Sequence, residues 1–76
     1  MQFGSMKATE LKKVLLKAGF VEDPRRGGSH CWLSHADGRR VRWAFHPSLA
    51  SIPPGTVQKV LVKDAKLSDE ELADLL

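Results

Sequence analysis

Gly28-Ser29-His30 is the stretch of this chain whose residue types and order could do chemistry. A histidine titrates near neutrality and moves a proton in either direction. RNA carries its own nucleophile, the 2′-hydroxyl beside the scissile phosphate. A nuclease acting on it therefore needs only a proton acceptor, a proton donor and positive charge around the phosphorane. One well-placed histidine is worth roughly 10²–10⁴ in rate, and arginines fixed in advance stabilise the developing charge. The two glycines before Ser29, Gly27 and Gly28, would let a sugar-phosphate chain come close to the backbone. Taken alone, the signal is thin, because a solitary histidine at the start of a strand is more often structural or incidental than catalytic.

Charge placement gives the motif a setting. The net charge is only +3 over 76 residues. Yet residues 24–47 hold Arg25, Arg26, Arg39, Arg40 and Arg42 against Asp37 alone, together with all three histidines. From residue 64 onward Asp64, Asp69, Glu70, Glu71 and Asp74 face only Lys66. A basic middle and an acidic end suit a polyanion-facing surface with a separate, solvated terminus. Other candidates carry less. His35 lies in a turn and His46-Pro47 in a connection, both better suited to pinning loops than to catalysis. Cys31 is a lone cysteine, which allows no internal disulfide and fits a reducing compartment and a buried filler role. The histidines and Cys31 lack zinc-site spacing, so no metal is expected. No small-molecule cofactor is expected either, since the chain has no room for a cofactor-binding fold. No apolar run is long enough to cross a bilayer and no signal peptide is evident, so a soluble, cytoplasmic protein without membrane contact is expected.

The elements that must position these residues can be read from periodicity. Residues 1–5 read as a leftover of expression, and a single domain is expected over 6–76. Leu11, Val14, Leu15 and Ala18 recur on one helical face, with Thr9 at or beside the N-cap and Gly19 as the C-cap. Strands are expected over 20–25, 29–34 and 39–45, joined by a turn at Gly27-Gly28 and another at His35-Ala36-Asp37-Gly38. Alternation turns Cys31, Leu33, Val41 and Trp43 inward, and His30, Trp32, Ser34, Arg40 and Arg42 outward. Trp43 and Phe45 read as core, whereas Trp32 is free to stack on an unpaired base. Pro53-Pro54 open a second helix running to about residue 64, with Val57, Val60 and Leu61 on its buried stripe. Ser68-Asp69-Glu70-Glu71 is a capping-box pattern that starts a short last helix. The fold class is α+β in the order α-β-β-β-α. It consists of a three-stranded antiparallel sheet with helices on one face, plus a short C-terminal helix.

From about residue 6 to residue 68 the chain resembles the HicA (YcfA-like) toxin family. The matching pieces are Glu10-Leu11 and Leu15-Leu16, then Gly19-Phe20, Gly28-Ser29-His30, His35 and Asp37-Gly38-Arg39. They continue with the Val41 strand, His46-Pro47, and Ile52-Pro53-Pro54-Gly55-Thr56 leading into Val60-Leu61. The resemblance implies a fold like that of double-stranded RNA-binding domains and a metal-independent endoribonuclease, an mRNA interferase, that arrests translation. It also implies a HicB-type antitoxin as protein partner, and it places the catalytic histidine at His30. Where the family usually has a second histidine and an aromatic, this chain has Cys31 and Leu33; Ala36 replaces a usual proline. On this reading Arg25, Arg26, Arg39, Arg40 and Arg42 contact RNA phosphates, while Gly28, Ser29 and Trp32 position the nucleotide. The alternatives are a non-catalytic module that grips structured RNA, or a protein-interaction domain whose open sheet face never meets nucleic acid.

Overall fold

The computed structural model describes residues 3–23, 31–45 and 48–76. The first element is α1 (Ala8–Lys17), followed by three strands, β1 (Val21–Glu22), β2 (Cys31–Ser34) and β3 (Arg40–Trp43). A second helix, α2 (Pro54–Gln58), runs on as a π-helical turn over Lys59–Asp64, and α3 (Asp69–Leu75) closes the chain. The strands form one antiparallel sheet in the order β1-β2-β3, so the expected α-β-β-β-α architecture with a terminal helix is the one observed.

Register sorts the faces. Leu33 sits opposite Val41 and Cys31 opposite Trp43, while Trp32 pairs with Arg42 and Ser34 with Arg40. Leu33 and Val41 are fully buried and Trp43 nearly so. They join Leu11 and Leu15 of α1, Val57, Val60 and Leu61 of the second helix, and Leu72 of α3 in a single core. Burying each large aliphatic side chain stabilises the fold by about 1.5–3 kcal/mol. Phe3, within residues 1–5, expected to lie outside the domain, is half-buried against this core. The other face of the sheet carries Trp32, Ser34, Arg40 and Arg42, as the period of two requires.

Several local expectations need correction. The N-cap of α1 is Lys7 rather than Thr9, and no side chain caps it. The first-turn donor of the buried Ala8 is met by the fold instead: Ala8 N–H donates to the Leu49 carbonyl at 3.2 Å. That carbonyl is brought in by an antiparallel bridge between Met6 and Ile52. The described part of the first strand is shorter than expected, and the third is Arg40–Trp43 where 39–45 had been expected. The second helix changes pitch at Lys59, which apolar spacing could not reveal. The wider turn buries Val60, Leu61 and Ala65 together, and Ala65 N–H bonds the Val60 carbonyl at 2.8 Å. Two residues beyond its end, Lys66 holds a left-handed φ of 52°. The Gly27-Gly28 turn and His46-Pro47 lie outside the described residues.

A candidate nucleic-acid interface

Five of the residues expected to form the site, Arg25, Arg26, Gly28, Ser29 and His30, lie outside the described residues. His30 directly precedes Cys31, the first residue of β2. The described part of the site is the outer face of β2 and β3.

There, Trp32 is half-buried and Arg40 is exposed, with the Arg40 guanidinium carbon 4.5 Å from the centre of the indole ring. A guanidinium stacked on tryptophan is attracted by the ring's negative face, for about 0.5–1 kcal/mol at an exposed position. Arg42 stands beside them as the cross-strand partner of Trp32. These three residues form one wall of an open groove of about 570 Å³. Phe45 follows β3 along it, and the second helix closes it with Thr56, Lys59 and Asp64. Phe45 also packs edge-on to Trp43 at 5.0 Å, so it joins the core to the groove. The outer face of β2 and β3 thus brings together Trp32, Arg40 and Arg42, the residues that alternation turns outward. The contribution of the second helix was missed. Thr56 and Lys59 lie three residues apart, as on one helical face, whereas Asp64 follows Lys59 by five, so the π-helical turn rather than an α-helical period brings it to the groove.

Arg39 is not part of this cluster. Its Nε donates to Asp37 Oδ2 at 2.7 Å and its Nη1 to the carbonyls of Ala65 and Lys66 at 3.1 and 3.3 Å. Its guanidinium carbon lies 5.5 Å from the Phe20 ring centre, and Nη2 is 3.8 Å from Glu71. Arg39 therefore ties the β2–β3 turn to the end of the second helix and to α3. The Arg39 backbone N–H, bonded to the Asp37 carboxylate, holds that carboxyl below its usual range, and the guanidinium charge adds to this.

His35 is structural. Its Nε2 lies 3.1 Å from the Ala18 carbonyl, which can only accept, so the proton is on Nε2. Its Nδ1 lies 3.2 Å from the Asp37 backbone nitrogen and 3.1 Å from Asp37 Oδ1, and its ring meets Phe20 edge-on at 5.1 Å.

On the opposite side of the sheet, Cys31 sits half-buried at the edge of the core. Its Sγ lies 3.5 Å from Glu22 Oε1, the oxygen that also receives Lys12 Nζ at 2.6 Å. Burial pushes the thiol's pKa up and the Glu22 hydrogen bond pushes it further, so this is no activated nucleophile. The Lys12 hydrogen bond holds Glu22 below its usual range. Among the described residues no group of three histidines, cysteines or carboxylates could hold a metal ion. Nor is any of their helices long and apolar enough to cross a membrane.

Compared with known proteins, residues 8–67 match the family model described as the HicA toxin of bacterial toxin–antitoxin systems. No curated protein matches the chain.

Proposed function

The chain belongs to the HicA toxin family of bacterial toxin–antitoxin systems, and from that premise we propose that it is a metal-independent endoribonuclease that cleaves messenger RNA. The carrying observation is that the family match runs through residues 8–67 and so includes Gly28-Ser29-His30. The described face supports the reading, because a tryptophan and two arginines share the outer side of the two strands that follow His30.

In this reading His30 moves the proton. The 2′-oxygen forms its bond to phosphorus as the bond to the 5′-oxygen breaks. The 2′-hydroxyl gives up a proton and the leaving 5′-oxygen receives one. His30 serves as acceptor in its neutral form, and water or a second side chain supplies the other transfer. Arg40 and Arg42 hold the phosphates, with Arg25 and Arg26 of the preceding segment. Arg39 is left to its structural role. Gly28 and Ser29 admit and position the backbone, while Trp32 with its stacked arginine receives a base. A toxin of this family implies an antitoxin partner, and we assign that role to a HicB-type protein that covers the open sheet face in the cytoplasm.

The test is messenger RNA incubated with purified protein in excess chelator. Wild-type protein yields fragments, and His30→Ala lowers the rate by roughly 10²–10⁴-fold with unchanged circular dichroism. A folded His30→Ala protein that cuts at the wild-type rate overturns the role of His30. Retarded but intact RNA with the wild-type protein makes the chain a binding module instead.

A further inference from the structure

We propose that the groove between the outer sheet face and the second helix binds one unpaired nucleotide of a single-stranded RNA, and that Asp64 selects guanine there. The inference rests on the RNA-cleaving reading above and adds three residues from the second helix to it.

Size and shape favour a nucleotide over a helix. A groove of about 570 Å³ falls within the roughly 300–1,000 Å³ typical of sites for drug-sized ligands. Double-stranded RNA is instead met by shape over about 16 base pairs, which calls for a broad surface. The walls suit a base: Phe45 and Val60 are apolar, and Arg40, exposed above Trp32, offers a flat guanidinium on which a base can stack.

Charge sorts the polar groups. Arg40, Arg42 and Lys59 line the groove against the single carboxylate of Asp64, which leaves an excess of positive charge for phosphates. Phosphate binding has no use for Asp64. Folding does not ask for it either, since it is the last residue of the helix, where negative charge is unfavourable. Among the described residues, no hydrogen bond or ion pair engages the half-buried Asp64 side chain or Lys59. A carboxylate offers two acceptor oxygens and no donor. Guanine alone among the four bases presents two adjacent N–H donors, N1–H and the N2 amino group, on its Watson–Crick edge. The π-helical turn that spans Lys59 and Asp64 is a distortion that recurs at functional sites.

The test uses the wild-type chain with fluorescent hexanucleotides carrying 2′-O-methyl groups, which remove the nucleophile and prevent cleavage. Guanine is compared with inosine, which lacks only the N2 amino group, with uridine, and with a duplex of matching sequence. Guanine hexamers are expected to bind about tenfold more tightly than inosine hexamers, the effect of one hydrogen bond to a charged group. Asp64→Asn should erase that difference while still binding RNA. Lys59→Ala should weaken all single strands alike and reduce the salt slope by about one. Equal affinity for guanine and inosine, a guanine preference that survives Asp64→Asn, or a duplex that outcompetes the single strand overturns the inference. If His30-dependent cleavage persists while guanine preference is absent, the groove inference alone fails. If the wild-type chain neither cuts nor binds RNA, the nuclease reading fails and the inference falls with it.

Discussion

Gly19 shows how one residue joins two parts of this fold. It holds a φ of +103° between α1 and β1, a conformation that side chains resist. A Cβ at this position would meet His35 Nε2 at 2.9 Å, the atom that donates to the Ala18 carbonyl. Gly19→Ala should therefore strain the backbone and push His35 out of its hydrogen bond, for a loss of about 1–2 kcal/mol. The urea midpoint measures this, and a midpoint equal to wild type would refute the latch between the helix end and the β2–β3 turn. Gly19 was legible as a C-cap because apolar periodicity stops just before it. Its partner was not, because nothing local in the sequence says that the histidine of a later turn closes over it.

At the scale of elements, α3 is the clearest case of local sequence dictating structure. Ser68 Oγ accepts the Glu71 N–H at 3.1 Å, and the Glu71 side chain accepts the Ser68 N–H at 3.1 Å, completing the box read from the sequence. Ser68→Ala should cost about 1 kcal/mol, seen as a lower thermal midpoint, and amide exchange should rise first in α3. Unchanged exchange there would mean that Leu72 packing alone holds the helix. The start of α1 teaches the opposite lesson. Thr9 has the residue type of a cap, but the Leu49 carbonyl already takes the Ala8 donor, so a tertiary contact displaced a local preference. The π-helical turn is likewise invisible to a pattern of period 3.6, because Val57, Val60 and Leu61 are buried with either pitch.

For the whole molecule, the described ion pairs tie elements together at the periphery. Lys12–Glu22 links α1 to β1, and Arg39 links the β2–β3 turn to the second helix and α3. Glu22 and Asp37 both have lowered pKa values, Glu22 chiefly through Lys12 and Asp37 chiefly through the Arg39 N–H. A depressed carboxyl stabilises the fold above its unfolded value and loses that contribution as pH falls through the folded value. Stability from these two groups should be constant above about pH 5 and decline below about pH 4, given ordinary carboxyl values near 4. Both side chains are more than a third exposed, so the loss is small and salt-sensitive. Urea midpoints from pH 7 to pH 3 check this: Asp37→Asn should show a shallower acid decline than wild type. An identical decline would place the acid sensitivity in other groups.

The sequence by itself determined the order of elements, the inward and outward residues of β2 and β3, the capping box and the family. These follow from spacing between near neighbours, which the backbone periods of helix and strand convert directly into faces. Only the tertiary structure decided that Arg39 serves the framework while Arg40 and Arg42 stay on the outer sheet face. Strand alternation separates Arg39 from Arg40, but it cannot supply the Ala65 and Lys66 carbonyls that capture Arg39. The groove is of the same kind. Trp32 and Asp64 belong to different elements, and they line one cavity only because the core draws the second helix against β3.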